Sequence, residues 1–223
     1  MRLKNKFIKN LITREQPKSP ISEQYRTLRT NIEFSMINQN LKTLILTSAI
    51  PREGKSLTAS NLAVTFADQG RKVLFIDADL RKPTIHHYFE IENLNGLTNV
   101  LTKRVDLTEA MFLTEVDNLW VLPSGPIPPN PAELLGSEAM RELVAITSKM
   151  FDIVIFDAPP VLAVTDAQVL GRICDGALLV VKSQANESKS LKKAKDLLGK
   201  AYVNIIGVVL NDVDQKEANH YYY

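Results

Sequence analysis

Six short segments of the chain are almost entirely apolar, and this pattern constrains the fold more than any other feature. Strands covered by helices on both faces of a sheet have this character. The stretches between them have helical periodicity, as in residues 56–70, which end at Gly70. The alternation predicts an α/β fold with a doubly wound, mostly parallel sheet that binds ligands at the carboxyl ends of its strands. The six segments are TLILTS, KVLFID, LWVLPS, FDIVIFD, GALLVVK and NIIGVVL.

The size and charge of the chain limit the classes of protein to which it can belong. Its 223 residues suit a single domain, and 27 basic against 25 acidic residues give a net charge of +2, so we expect no nucleic-acid partner. Cys174 is the only cysteine, which excludes an internal disulfide. No apolar run approaches the roughly 20 residues that span a bilayer, and no signal peptide opens the chain, so we expect a cytoplasmic protein.

A phosphate-binding loop is predicted between the first strand and the helix that follows it. The stretch from Ser48 to Ser56 reads SAIPREGKS, and in this position backbone N–H groups and a helix N-terminus converge on a polyanion. The ammonium group of Lys55 is suited to β- and γ-phosphate, and the hydroxyl of Ser56 to Mg²⁺. Ala49 replaces the usual first glycine of such loops, and can keep the turn if its φ stays negative. The predicted nucleotide contacts are Ser48, Pro51, Arg52, Glu53, Gly54, Lys55, Ser56 and Leu57.

Three aspartates end two other predicted strands. Asp77 and Asp79 close VLFIDAD, and Asp157 closes FDIVIFD. Parallel strands place these carboxylates at the same edge of the sheet as the loop. Because Mg²⁺ prefers one or two carboxylates together with water and substrate oxygens, we assign Asp79 and Asp157 to the metal with Ser56. Asp77 is then free to accept the proton of an attacking hydroxyl.

The two ends of the chain differ from the region between them. Residues 1–18 begin with MRLKNKFIKNLITR, five basic residues and no acid, which is either a solvated tail or a helix lying on anionic lipid. We therefore predict a basic tail over 1–18, a domain over 19–211 and a flexible tail over 212–223. The last tail ends in Tyr221, Tyr222 and Tyr223, half of all the tyrosines. A terminal cluster of this kind either docks at a specific place or is offered to an enzyme.

An amphipathic helix is predicted over residues 21–37. Its apolar stripe, which includes Ile21 and Ile32, is expected to face the core. Glu23, Arg26 and Arg29 recur at three-residue intervals on the opposite side, where we expect them to be exposed. A second helix is predicted over 131–149, with a capping box at its start.

The motifs SAIPREGKS, LFIDADLRKP, VIFDAPP and LPSGPIPPNPAELL, together with the tyrosine tail, resemble the cytoplasmic catalytic domain of bacterial tyrosine kinases that regulate capsule and exopolysaccharide synthesis. The resemblance runs from about Pro17 to the last residue and implies a P-loop fold related to the partition ATPases. It places Lys55 and Ser56 in Walker A, Asp77 and Asp79 in the second aspartate motif, and Asp157 in Walker B. Among related ATPases the position of Asn211 holds adenine, although an asparagine there is equally typical of a turn.

The same resemblance implies partners. Glu23, Arg26 and Arg29 match the motif through which subunits of that family close into a ring. In Gram-positive members the catalytic domain is a separate chain, activated by the cytoplasmic tail of a membrane protein. These implications predict an ATP- and Mg²⁺-dependent protein tyrosine kinase that phosphorylates Tyr221–Tyr223 of a neighbouring subunit, acts on other protein tyrosines and is recruited to the inner face of the membrane.

Two other functions remain open at this point. A partition or septum-site switch ATPase shares the loop, but such proteins carry a second lysine where this chain has Ile50, and they lack a tyrosine tail. A nucleotide-binding adaptor of a polysaccharide export complex needs no catalysis, and an intact Lys55 with three acids argues against it.

Overall fold

A seven-stranded sheet with helices on both faces forms the core of the domain. The computed structural model describes residues 11–39, 41–183 and 187–213. The strands are β1 (Thr43–Ser48), β2 (Val73–Asp77), β3 (Phe112–Leu113), β4 (Leu119–Leu122), β5 (Ile153–Asp157), β6 (Gly176–Lys182) and β7 (Ile205–Asn211). The helices are α1 (Ile12–Glu15), α2 (Pro20–Gln39), α3 (Lys55–Ala67), α4 (Ile85–Phe89), α5 (Leu97–Leu101), α6 (Leu107–Ala110), α7 (Pro131–Leu135), α8 (Glu138–Met150), α9 (Asp166–Gly171) and α10 (Glu187–Lys200).

The strands lie in the order β3-β4-β2-β5-β1-β6-β7, and all of the pairings are parallel except that of β3 with β4. The prediction of a doubly wound, mostly parallel sheet is confirmed, and each of the six predicted segments contains a strand. Strand β3 was not predicted, because two residues are too few to carry a period. The order places β2, β5 and β1 side by side, so their carboxyl ends meet at one edge.

Two apolar layers cover the sheet. One layer packs α5, α7, α8, α9 and α10 against one face, with Met140 of α8, Leu170 of α9 and Leu198 of α10 fully or almost fully buried. The other packs α3 and α4 on the opposite face, where Leu62 and Phe66 of α3 are fully buried. The central strands β1, β2, β5 and β6 therefore need apolar side chains on both faces, which explains their continuous apolar runs in the sequence. Cys174 is buried at the edge of the first layer.

The packed structure begins no later than Leu11, within the segment predicted as a tail. Leu11 is fully buried, and both the backbone N–H and the hydroxyl of Thr13 donate to Oδ1 of Asn61 on α3, at 3.1 and 2.9 Å. The hydroxyl of Ser22 lies within hydrogen-bonding distance of the carbonyls of Ile12 and Gln16. Residues 1–10, which carry most of the basic pattern, and Tyr221–Tyr223 lie outside the described residues.

The predicted helix over 131–149 is two helices. Gly136 ends α7, and Ser137 starts α8 by accepting a hydrogen bond from the N–H of Met140 at 3.2 Å. The predicted capping box is wrong, because the amide of Asn130 donates to the Glu133 carboxylate instead of accepting from the backbone. Gly136 and the serine cap that follows it therefore divide the predicted helix into two.

Only some of the apolar residues of α2 that were predicted to face the core are buried. Ile32 is buried against α3, but Ile21 is 46% exposed. The prediction that Ile21 faces the core is wrong, because the first turn of α2 buries Ser22 instead, whose hydroxyl bonds to the α1 segment. Within the described ranges, no helix is both long and apolar enough to cross a membrane.

Candidate active site

The predicted site residues converge at the carboxyl edge of the three central strands. Asp77 and Asp157 end β2 and β5 and face each other as paired residues of neighbouring strands. Ser48 ends β1, the strand on the other side of β5. Asp77 and Asp157 are fully buried. The expectation that parallel strands bring these groups to one edge is therefore met in the structure.

The loop between β1 and α3 turns at Gly54. The φ of Gly54 is +83°, and an added Cβ atom would lie 2.1 Å from Nδ2 of Asn211. Only glycine fits both the conformation and the space. Arg52 also has a positive φ, of 71°, and its side chain is exposed. Ala49 is buried and is not among the described residues with positive φ, which explains why alanine can replace glycine there.

Glu53 and Asn211 brace this loop. The Glu53 carboxylate is buried and accepts from the N–H of Ile50 at 2.9 Å. The side-chain amide of Asn211, the last residue of β7, donates to the Glu53 carbonyl at 3.0 Å. The hydroxyl of Ser48 donates to the Ile50 carbonyl at 2.8 Å. Ser48, Glu53 and Asn211, which were predicted to contact nucleotide, thus stabilise the conformation of the loop.

The ammonium group of Lys55 lies among the acids. Its Nζ is 3.0 Å from Oδ2 of Asp79 and 3.3 Å from both carboxylate oxygens of Asp157. It also lies 3.1 Å from the hydroxyl of Ser56, which in turn donates to Asp157. One cation therefore links the acid two residues after β2 to the acid that ends β5, and Ser56 joins the same network.

Burial and mutual repulsion set the charges of this cluster. Burial raises the pKa of Asp77 to about 8, the neighbouring charge of Asp157 adds to that shift, and hydrogen bonds from Ile85 and Thr84 oppose it. Burial also raises the pKa of Asp157, against the attraction of Lys55. Burial alone would lower the pKa of Lys55, but Asp157 and Asp79 outweigh it and raise that pKa. Lys55 therefore stays protonated.

Asp77 is held by the backbone of the segment that follows it. Its Oδ2 accepts from the N–H groups of Thr84 and Ile85, both at 3.0 Å, and its Oδ1 accepts from the N–H of Asp79 at 3.2 Å. The carboxylate thus fixes both the turn after β2 and the start of α4. These hydrogen bonds make Asp77 a structural anchor of the segment.

Asp166 is a site residue that the sequence did not reveal. It is fully buried at the start of α9 and accepts two hydrogen bonds from Arg81, at 2.9 and 3.0 Å. Arg81 stands two positions after Asp79. The only sequence signal for Asp166 is an aspartate at the start of a helix, which is typical of dipole stabilisation. Its partner lies 85 positions earlier in the chain.

Glu23, Arg26 and Arg29 do not share one exposed face. Glu23 and Arg26 pair with each other on the surface. The side chain of Arg29 is only 16% exposed, and its guanidinium donates to the Thr65 carbonyl in the last turn of α3 at 3.0 Å. The prediction that all three are exposed is wrong for Arg29, because a cation is favourable near free carbonyls at a helix C-terminus.

The arrangement fits a magnesium nucleotide. Asp79, Asp157 and the Ser56 hydroxyl present hard oxygen donors beside the loop, which is the ligand type that Mg²⁺ takes when phosphates and water complete its shell. No group of three or more His, Cys, Asp or Glu in the described part of the chain could hold a metal alone. The open turn at Gly54 and the N-terminus of α3 provide N–H groups for phosphate.

These features define a P-loop nucleotide-binding domain of the α/β class, and comparison with known proteins specifies it further. Residues 53–198 match the family model described as an AAA domain. The chain is 50% identical to the tyrosine-protein kinase YwqD of Bacillus subtilis, covering 96% of this chain and 91% of that one. The kinase domain of Escherichia coli tyrosine kinase ETK has a similar structure, with a TM-score of 0.89 and 36% identity over 97% of this chain and 86% of that one.

The chain belongs to the family of bacterial tyrosine-protein kinases. The septum-site-determining protein MinD of Pyrococcus horikoshii shares the fold alone, with a TM-score of 0.66 and 23% identity over 80% of this chain and 76% of that one. The predicted relation to partition-type ATPases is thus confirmed at the level of fold, and the predicted resemblance to the tyrosine kinases at the level of family.

Proposed function

We propose that this chain is an ATP- and Mg²⁺-dependent protein tyrosine kinase that phosphorylates its own terminal tyrosines between subunits. The observation that carries the proposal is the placement of Lys55 between Asp79 and Asp157, at the edge where Asp77 ends its strand. Phosphoryl transfer requires a cation and acids of this kind next to a phosphate-binding loop: the cation neutralises phosphate charge, and the acids bind the metal and accept the proton.

The residues of the site divide into two roles. The N–H groups of the loop and the ammonium of Lys55 hold and neutralise the phosphates, and Ser56, Asp79 and Asp157 would hold the metal. When bound, Mg²⁺ would offset the negative charge that develops on the phosphate oxygens. Asp77 is the proton acceptor in this proposal, and a carboxyl with a pKa of about 8 is well matched to a proton transfer near neutral pH.

Access to Asp77 depends on movement. No part of Asp77 is exposed, so an acceptor hydroxyl reaches it only if the side chains over it move. Lys55 is the obvious candidate, because phosphate competes with Asp79 and Asp157 for the same ammonium. Nucleotide binding then draws Lys55 towards the phosphates and opens the acids to metal and substrate.

The terminal tyrosines supply the acceptor. The described chain ends just beyond β7, and β7 ends at Asn211 beside the loop. Residues 212–220 span at most about 30 Å from that point when extended, and in this proposal that length carries the tyrosines to the site of a neighbouring subunit. Tyr221–Tyr223 lie outside the described residues, so the support comes from their position in the sequence.

Assembly and activation complete the proposal. Glu23 and Arg26 lie on the surface and are suited to a charged contact with a neighbouring subunit. Arg29 instead binds the end of α3 in its own domain, so it supports the position of α2 rather than contacting the neighbour. A repeated head-to-tail contact closes into a ring when its rotation allows. We further propose that the cytoplasmic tail of a membrane protein activates the chain, recruits it to the inner face of the membrane and couples it to capsule or exopolysaccharide synthesis.

A mixing experiment tests transfer between subunits. A Lys55→Met chain with intact tyrosines is incubated with labelled ATP, Mg²⁺ and an active chain whose three terminal tyrosines are Phe. Label on the tail of the inactive chain supports the proposal. Phosphate release without labelled tyrosine supports a switch ATPase instead, and label on an added peptide but not on the tail rejects the proposed acceptor.

A further inference from the structure

A groove crosses the outer surface of α9, between the start of α8 and the end of α10. It measures about 570 Å³, and its lining residues include none of the loop residues or acids of the active site. Gly136 and Thr165, which lie just before α8 and α9, also line it.

The charged side chains that line this groove are all cationic. Arg141 of α8, Arg172 at the end of α9 and Lys200 at the end of α10 line it, together with uncharged groups. Arg141 pairs with Glu138 at 3.1 Å, but the two side chains are 54% and 75% exposed. An ion pair so exposed contributes little, so a ligand can replace it at small cost. The groove is therefore a concave surface with unbalanced positive charge.

The chemistry of the lining indicates the kind of anion. Two guanidinium groups offer planar forks that bind phosphate oxygens through paired hydrogen bonds. Val169 and Ile173 give the floor an apolar part, and Tyr202, which is 86% exposed, stands at the rim. A phosphate on an aromatic ring matches this combination better than free phosphate, because the ring can use the apolar surface.

We propose that this groove binds the phosphorylated chain end of a second copy, through the phosphotyrosines formed at Tyr221–Tyr223. The inference rests on the proposed kinase function, which supplies those groups. Each phosphate brings about −1.5 to −2 charges, so the modified end is strongly anionic and complements the three cations. A concave site between two helices also suits a short peptide segment better than a flat bilayer.

The proposed binding has a consequence for the catalytic cycle. A phosphorylated end repels a site that already holds ATP, and a separate cationic groove gives it another place to bind. Modified and unmodified ends then occupy different surfaces of the assembly. The groove acts as a product-recognition site and removes modified ends from competition for the active site.

A peptide-binding measurement tests the groove without any catalysis. The probe is a fluorescent synthetic peptide of residues 212–223 carrying phosphate on its three tyrosines, titrated with the full chain at physiological ionic strength. Binding to the parent should weaken at least about tenfold in an Arg141→Gln, Arg172→Gln, Lys200→Gln variant, because each charge-assisted hydrogen bond to phosphate is among the stronger ones. The unphosphorylated peptide should bind at least about tenfold more weakly as well.

A matched variant separates the groove from general attraction. Lys192, Lys193 and Lys195 are exposed on α10 but do not line the groove, so their replacement by Gln removes the same charge elsewhere. This control should change the affinity less than about threefold. The single Arg172→Gln variant repeats the test with the smallest change, should the triple variant lose its native circular dichroism.

Three outcomes would overturn the proposal. Equal losses in the two triple variants would show diffuse attraction rather than a site. Absence of phosphopeptide binding would show that the groove does not recognise phosphotyrosine. Binding of phosphatidylglycerol vesicles that depends on Arg141, Arg172 and Lys200, with no preference for the phosphopeptide, would identify a membrane contact instead. The kinase activity of the parent, measured separately, decides the proposed function independently of all three.

Discussion

Arg81 and Asp166 form a bidentate ion pair that joins the loop after β2 to the start of α9. Nε of Arg81 lies 2.9 Å from Oδ2 of Asp166, and Nη2 lies 3.0 Å from Oδ1. Arg81 follows β2 and its acids, whereas Asp166 follows β5 and Asp157. Because Asp166 is fully buried and accepts from both Nε and Nη2 of Arg81, the pair ties the segment that carries Asp79 to the helix that follows Asp157.

The first prediction follows from this pair. Asp166→Asn removes the charge and one of the two bonds, so the acids at the ends of β2 and β5 are held less precisely. We expect kcat to fall by about 10- to 100-fold, since misplacement of reacting groups by about 1 Å can cost that much. The KM for ATP should change much less, because the phosphate-binding loop does not contact Asp166. Steady-state kinetics on a tyrosine peptide measure both quantities.

A structural control accompanies this variant. Asp175 is a comparable anchor at the amino ends of β1 and β6, where it accepts from the N–H groups of Lys42 and Thr43, both at 2.8 Å. Asp175→Asn should lower stability without lowering the kcat of the folded fraction. If Asp175→Asn slows transfer as much as Asp166→Asn, then Asp166 has only a general structural role.

The strands and the acid cluster could be predicted because their signals are local. A run of five or six apolar residues between turns indicates a buried strand, and an aspartate at its end is placed by the parallel sheet itself. Asp77 and Asp157 therefore lay where we expected. The same reasoning placed Lys55 beside them, since the loop joins a strand to a helix in the same way in all such domains.

The pairings between distant residues could not be predicted. Arg81 and Asp166 are each ordinary surface-type residues in their own sequence context, and only the tertiary fold brings them together. Arg29 was expected to be exposed for a similar reason: its helical period is correct, but the end of α3 lies over it. Leu11 was assigned to a tail because the stretch around it is basic and terminal, which is typical of a solvated tail or of a helix on anionic lipid, whereas the structure buries it.

The second prediction concerns the charge balance of the site. Lys55→Met leaves Asp77, Asp79 and Asp157 buried without their cation, and breaking a buried pair in this way typically costs about 3–5 kcal/mol. We expect a lower free energy of unfolding at pH 7.5 in urea titrations. Adding Asp157→Asn to the Lys55→Met chain should recover part of that loss, since one uncompensated charge is gone. Equal stability of the parent and the Lys55→Met chain would contradict the network described above.

The third prediction concerns the turn of the loop. Gly54→Ala forces a Cβ atom against Nδ2 of Asn211 and places alanine at a positive φ, so we expect weaker nucleotide binding and a stability loss of more than about 1 kcal/mol. Gly70 has a similar φ of +85° but no atom within 4 Å of an added Cβ. Gly70→Ala should therefore show only the backbone cost and keep nucleotide binding. Titration with a fluorescent ATP analogue distinguishes the two variants, and equal affinities would reject the steric argument.

The fourth prediction separates the three charged residues of α2. Arg29→Ala removes a hydrogen bond to the end of α3 and leaves Glu33 with one cationic neighbour fewer, so it should lower the melting temperature. Arg26→Ala breaks an exposed pair with Glu23 and an exposed hydrogen bond to the Pro17 carbonyl, and should leave the melting temperature within about 1–2 °C of the parent. If a ring forms in the parent, light scattering should show that Arg26→Ala weakens it at unchanged stability. A loss of stability in Arg26→Ala equal to that in Arg29→Ala would contradict these contacts.

The fifth prediction concerns acid. Burial lowers the pKa of His86, and its neighbour His87, with ring centroids 3.9 Å apart, lowers it further. Its Nδ1 is buried with no hydrogen-bond partner in the described structure. The folded state therefore keeps His86 neutral, while the unfolded chain takes up a proton near pH 6.5. Stability is thus fully present above about pH 6.5 and is lost as the pH falls below it.

Protonation of His86 affects the active site through α4. This helix begins at Ile85, and the N–H of Ile85 donates to Asp77. Charging His86 in the next position loosens this helix and the support of Asp77. His86→Gln should therefore show a smaller loss of unfolding free energy between pH 7.5 and 5.5 than the parent. His87→Gln should be intermediate, because it removes the contribution of His87 to the shift but leaves the burial of His86 unchanged. Urea titrations at both pH values measure the difference, and identical pH dependence in all three chains would show that His86 is not the group that titrates.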